Sequence, residues 1–359
     1  MTNSQMAVEG GVTLQKIRRS KLRLNRIRRE FRKEASCLER IYGRGKTDDI
    51  AVTAPVALIS QIQRSGGTLL SQLFDGHPEI HAHPQELKIG YPKKYIWPRL
   101  DLSEAPRRWF ELLFEDDVIE AASEGYRKDH KSEQRFPFDF SASLQRKFFL
   151  EHIRCAGQIT MRDVYNAYFS AYFRAWRNNI NYLGDKKYIT AFTPRLAATD
   201  VDAGYFFDVY PDGRLISVVR DPKNWFPSAC LHTTKKNKYA DFDTALDQWL
   251  ENTQAMMRNK ENYGGRVCIV RFEDLIDKTG AVMEYLSDYL GIEFLNFLLT
   301  PTFNGSPITA NTSFNTGNSG IIKSASMRYK TLGMDEMRRI ERKTGDVYGQ
   351  VLEKVAGYC

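Results

Sequence analysis

Apolar and polar positions follow two periods along this chain. Val56 to Ser60 is a short, nearly unbroken apolar run that passes through a turn containing Gly66 and Gly67 into Thr68-Leu-Leu-Ser-Gln-Leu-Phe74, where apolar residues return at helical spacing. This pattern predicts a buried strand, a glycine turn and an amphipathic helix in direct succession. Leu215 to Val219 is a second such run, ended by Arg220 and by Asp221-Pro222, which stop the strand and open a helix. Tyr188 to Thr193 and Arg266 to Phe272 read as two further strands, the latter after a helix around Trp249. Residues 100–180 read mainly as helices, and Met334 to Ala356 reads as a closing helix. Asn304 to Ser324, rich in Asn, Ser, Thr and Gly, reads as a long loop and a candidate lid. Strands alternating with helices predict an α/β fold with a parallel, doubly wound sheet.

The first turn has the chemistry of an anion cradle. Gly66 and Gly67 let backbone approach a ligand, and the N–H groups of the first helical turn point back into the loop. Arg64 adds a fixed positive charge, and Ser65 and Thr68 add hydroxyl donors. The turn is no Walker A loop, because G-x-x-x-x-G-K-[ST] is missing and no Lys follows the second glycine. In the second segment Ser228 lies eight residues beyond Arg220. At the carboxyl edge of one parallel sheet, Arg220 and Ser228 would grip a second phosphate near the first loop.

Arg64-Ser-Gly-Gly-Thr68 resembles the 5'-phosphosulfate loop of the sulfotransferases that use 3'-phosphoadenosine 5'-phosphosulfate (PAPS), written [KR]-[ST]-G-[TG]-T. Arg220-Asp-Pro222 with Ser228 resembles their 3'-phosphate segment, and His77-Pro78 falls where Golgi-type members also carry His-Pro. The resemblance spans about residues 54 to 357 and implies a P-loop-like three-layer sandwich with a central parallel sheet. It implies PAPS as donor, held by Arg64, Ser65, Gly66, Gly67, Thr68, Leu69, Arg220 and Ser228, with Arg64 stabilising the leaving phosphate. Glu86 stands twenty-two residues after Arg64, the spacing at which heparan-type 3-O-sulfotransferases place their catalytic Glu, so it is the candidate base, with His81 and His83 as rivals. Many relatives carry a Lys before Thr-Pro in the preceding strand; here Phe192 stands there, which leaves that contact to Arg195 or Lys186 or to nothing. Gly320-Ile-Ile-Lys-Ser324 resembles a tyrosylprotein sulfotransferase loop, which makes Lys323 a candidate cofactor contact and Arg328 a second choice. Phe272 sits where relatives often have an aromatic near the adenine, but it reads first as a plain core aromatic. No metal is required, because fixed side-chain charges can meet the developing charge of sulfuryl transfer.

Composition adds a location for the charge. The chain of 359 residues carries a net +8, but thirteen Lys or Arg against four Glu fall in residues 1–46, so the remainder is close to neutral. Ile17, Leu24, Phe31 and Leu38 recur there every seven residues, which predicts a basic helical arm with a narrow apolar stripe. Docking on its own domain or a second copy, peripheral contact with an anionic membrane, and recruitment of an anionic polymer compete as its uses, in that order. Nucleic acid is not expected, since the rest of the chain offers no second basic patch. Five scattered cysteines, no leader-like segment and no run of transmembrane length predict reduced thiols in a cytoplasmic setting.

The chain is therefore expected to hold a basic arm over 1–46 and a sulfotransferase-like domain over 54–357. The acceptor expected is a hydroxyl of a saccharide or glycolipid, with Tyr91, Tyr95 and Trp97 as candidate sugar platforms. A P-loop kinase and a nucleotide- or anion-binding module without turnover are the alternatives. The absence of the Walker Lys weighs against the kinase.

Overall fold

The computed structural model describes residues 52–90, 97–127, 134–155, 157–194, 196–231, 241–308, 320–321, 323–355 and 357. The basic arm, Tyr91, Tyr95, Arg195 and most of the candidate lid lie outside these residues.

Five strands form the central sheet: β1 (Val56–Ile59), β2 (Ile80–Glu86), β3 (Tyr188–Phe192), β4 (Arg214–Val219) and β5 (Val267–Arg271). Their order is β2-β3-β1-β4-β5, and every neighbouring pair is parallel. Four of them are the apolar runs of the sequence, buried on both faces as parallel strands are. β2 is the exception. His81, His83 and Pro84 hide it from a hydropathy reading, and it survives as an edge strand whose register shifts between Ala82 and Glu86, around the proline.

Side chains leave the two faces in alternation. Val56, Leu58, Leu215 and Val267 point into a core shared with α2 (Pro106–Leu113), α4 (Ala142–Cys155), α5 (Met161–Ala175) and α6 (Asp200–Val209). On the same face, Val219 and Ile269 pack with α7 (Pro222–Cys230), α8 (Phe242–Tyr263) and α11 (Met334–Leu352). Ala57, Ile59, Ile216 and Val270 point the other way, against α1 (Gly67–Leu73), α9 (Phe272–Asp277) and α10 (Thr279–Leu290). The result is the three-layer sandwich expected. α3 (Asp117–Glu124) lies between α2 and α4 in the chain.

Two local readings change. Asn304 and Gly305 are not the start of a loop but the turn of a small antiparallel hairpin, β6 (Thr302–Phe303) with β7 (Ser306–Pro307). Asp75 anchors that turn by accepting from Thr302 Oγ1 at 2.7 Å and Gly305 N at 2.9 Å. Trp97 is 1% exposed and stacks on Tyr165 with ring centroids 4.6 Å apart, so it is core and no sugar platform. Among the described residues no helix is long and apolar enough to cross a membrane.

The chain leaves β1 for the edge strand β2, returns to β3, and then crosses to β4 on the other side of β1. The connections on either side of β1 therefore diverge, and a crevice opens at its carboxyl end.

Candidate functional site

The loop that fills this crevice is held in an unusual backbone conformation. Arg64 adopts φ of 70° and Gly66 φ of 95°, both in the left-handed region. For a non-glycine residue that conformation costs on the order of 1 kcal/mol or more, and such strain collects at functional loops. The glycines are demanded by side chains as much as by backbone. A Cβ on Gly66 would stand 2.5 Å from Phe272 Cδ2, and one on Gly67 would stand 2.0 Å from Gln61 Nε2 and 2.3 Å from Phe192 Cε2. Ser65 is 1% exposed and its Oγ has no hydrogen-bond partner. Gly66 caps α1 without a side-chain acceptor, so the N–H groups of Gly67, Thr68 and Leu69 have no partner within their helix.

The second motif closes on this loop. Arg220 follows the last residue of β4 and donates from Nη1 to Arg64 O at 2.7 Å and from Nη2 to Ala325 O at 2.8 Å. Trp225 Nε1 donates to Gln63 O at 2.8 Å, and Trp249 Nε1 donates to Arg220 O at 3.1 Å. The Arg220 guanidinium lies over the Phe272 ring, 4.3 Å from its centroid, while that ring also fills the space above Gly66. Burial, aided by the Arg64 and Arg328 charges and opposed by Glu273, pushes the Arg220 guanidinium down to about 9. An anion placed among these cations would relieve that penalty. Glu273, itself buried and held above the usual carboxylate range by that burial, accepts from Asn224 Nδ2 at 3.1 Å and from Asp221 N at 3.3 Å. It thereby fixes the start of α7, on which Ser228 is buried. Asn224 Oδ1 in turn accepts from Tyr329 N at 3.0 Å, which ties the 3-10 segment Lys323–Thr331 to the site. Lys323 is exposed at the start of that segment, whereas Arg328 is partly buried and couples to Arg220.

On the other side of the loop stands Glu86. It pairs in register with Phe192, which pairs with Ile59, so Glu86 is level with the end of β1 two strands away. Two strand spacings are about 10 Å. A cavity of about 380 Å³ lies beside it, lined by Thr68 and Gln72 of α1, Glu86 and Lys88, Phe192, and residues of α3 and the chain after it, Asp117 and Arg127 among them. Thr68 and Glu86 thus share one space, brought together by the sheet order. His81 and His83 do not enter it. Both rings leave β2 toward α5: His81 stacks on Phe173 at 4.7 Å, and burial pushes it down to about 3. His83 lies 3.0 Å from Glu115 Oε1 and packs against Tyr172.

The network below this strand was not anticipated. Glu115 is 1% exposed and accepts from Tyr168 Oη at 2.9 Å and from Lys88 N at 2.8 Å, beside its contact with His83. It clamps the residues on both sides of Glu86, and nothing in the spacing of Glu115 marked it. Lys186 is likewise relocated. Its Nζ donates to Pro78 O and Asn181 Oδ1, at the amino end of β3, so it cannot replace the lysine that Phe192 displaces at the carboxyl end.

A parallel α/β sheet carries a strained glycine loop at its switch point, ringed by arginines, an arrangement whose charge and backbone donors suit an anionic group. The sequence profile of the sulfotransferase family matches residues 55–296, about two thirds of the chain, and the chain belongs to that family. Among solved structures, it is similar to the sulfotransferase domain from the curacin biosynthetic pathway, at 16% identity over 81% of this chain and 98% of that one, with a TM-score of 0.43. The sulfotransferase domain of the Synechococcus PCC 7002 olefin synthase shows 17% identity over 83% and 98%, with a TM-score of 0.44. Retinol dehydratase in complex with androsterone and the inactive cofactor PAP shows 9% identity over 83% and 82%, with a TM-score of 0.36. These likenesses are distant, and the family assignment rests on the profile. No sequence among curated proteins matches this chain.

Proposed function

We propose that the protein transfers a sulfuryl group from PAPS to a hydroxyl of a saccharide or glycolipid. The observation that carries this reading is the hydrogen bond from Arg220 to the carbonyl of Arg64, which joins the two motifs into one site. The residues present suit such a donor. Ser65 Oγ, the first-turn N–H groups and Arg64 would hold its 5' end, and Arg220, with Ser228 and with Lys323 or Arg328, its 3'-phosphate. The bound donor supplies a sulfur that gains a bond to the acceptor oxygen as its bond to the 5'-phosphate oxygen breaks. Glu86 takes the acceptor proton, and Arg64 meets the negative charge left on the 5'-phosphate. Arg64 and Arg220 follow β1 and β4 while Glu86 ends β2 and borders the cavity with Thr68, an arrangement that supports donor binding on one side of the loop and acceptor binding in the cavity.

Titration calorimetry with 3'-phosphoadenosine 5'-phosphate (PAP), ADP and ATP tests the donor site. PAP is expected to bind in the micromolar range, well ahead of ADP. Arg220→Ala should weaken PAP at least about tenfold, the effect of one charge-assisted hydrogen bond. Equal or tighter binding of ATP, indifferent to Arg220, would point to the kinase reading instead.

A further inference from the structure

We propose that Gln72 selects the acceptor, and that the cavity is a subsite for a neutral, polyhydroxylated molecule; this rests on the function proposed above. Gln72 follows Thr68 by one turn of α1, so the two lie on the same face and both border the cavity that holds Glu86. Its side chain is 6% exposed, and its Nε2 is buried without a hydrogen-bond partner. Buried amide donors are almost always paired in folded proteins, and an orphan on a cavity wall marks where a ligand atom belongs. Gln85, next to Glu86 on the same wall, repeats the feature with a second buried, unpartnered Nε2.

The charges of the cavity narrow the class of ligand. Lys88 is paired with Asp117, and Arg127 with Glu120 and Glu124, so these cations are already neutralised. Glu86 adds a carboxylate that repels an anionic acceptor. What the walls offer is amide N–H groups, which require oxygen acceptors without requiring charge. A sugar ring meets that demand, with one hydroxyl at Glu86 and neighbouring hydroxyl oxygens accepting from Gln72 and Gln85. An apolar alcohol with a single hydroxyl leaves both amides unpaired, and a polyanionic glycan meets the Glu86 carboxylate unfavourably. Sites built around a hydrogen bond to substrate discriminate strongly against analogues that lack the partner.

The test compares octyl β-glucoside with 1-octanol as acceptors, at saturating PAPS, in the wild type and in Gln72→Leu and Gln72→Met, with PAP affinity measured on each. The wild type is expected to sulfate octyl glucoside with a kcat/KM at least about tenfold above octanol. Both variants should raise the KM for octyl glucoside by about tenfold while PAP affinity stays within about twofold of wild type. Octanol turned over as efficiently as octyl glucoside, neither compound turned over by an enzyme that binds PAP, or an unchanged KM in both variants overturns the subsite. A wild type that fails to bind PAP instead overturns the donor reading beneath it, and the subsite with it.

Discussion

Single residues divide here into those that chemistry demands and those that the fold consumes. In the proposed reaction Glu86 belongs to the first group: Glu86→Gln keeps the shape of the side chain but cannot take a proton. Its expected effect is a fall in kcat of about 10²-fold or more with PAP affinity unchanged, read by coupled turnover assay and calorimetry. His81 belongs to the second. Its ring is buried against Phe173 and pushed from an ordinary 6.5 down to about 3, so the folded protein refuses a proton that the unfolded chain accepts. Above pH 6.5 both states are neutral and nothing is lost; below it stability falls with pH, by roughly 1.4 kcal/mol per pH unit until about pH 3. Urea denaturation at pH 7 and pH 5 should show His81→Phe losing about 2 kcal/mol less than wild type between the two. An equal acid slope in both proteins would mean that His81 is not buried neutral. The spacing from Arg64 favoured Glu86 over His81 but left the histidine as a rival, since both sit in one His-rich stretch ending at Glu86. The pleat separated them, sending the histidines toward α5 and leaving the carboxylate at the strand end.

At the scale of elements, the glycine loop is legible from its residues and β2 is not. Strand β1, the glycine turn and α1 are local features, and hydrophobic period together with glycine chemistry predicts them. What the sequence withheld is why the second glycine is required: Phe192, more than a hundred residues away, and Gln61 fill the space where a Cβ would be. Gly67→Ala must displace both, so an unfolding midpoint lowered by an equivalent of about 1–3 kcal/mol and a loss of PAP binding are expected, checked by denaturation and calorimetry. Unchanged PAP affinity in that variant would show that the loop tolerates rearrangement. β2 escaped detection because histidine and proline mask its alternation. It is held by pairing with β3 and by the buried carboxylate of Glu115, which takes His83, Tyr168 and the backbone of Lys88 together. That is a contact between distant segments, and no local pattern encodes it.

Across the whole molecule, the C-terminal helix lies beyond the family match, which ends at residue 296, yet it closes part of the core. Ile340 and Val351 are fully buried in the cluster of Trp225 and Trp249, and those two indoles donate to the loop and to Arg220. Deleting residues 334–359 should therefore abolish both cooperative unfolding and PAP binding, as followed by near-UV circular dichroism and calorimetry. A truncated chain that still binds PAP would show that α11 is dispensable to the site. Hydrophobic period, glycine and charge act over a few residues, so the local pattern of the chain was enough to predict the class of fold and the glycine loop and to mark Arg64, Arg220 and Glu86 as candidates. The tertiary structure alone decided which candidates share a space. Strand order puts Glu86 and Thr68 on one cavity and Arg220 on the other side of the loop, sends His81 and Lys186 elsewhere, and leaves Gln72 on the cavity wall with a buried, unpartnered Nε2. Which side chains meet depends on how strands hundreds of atoms apart are ordered and which way each residue leaves its sheet, and those are properties of the packed chain.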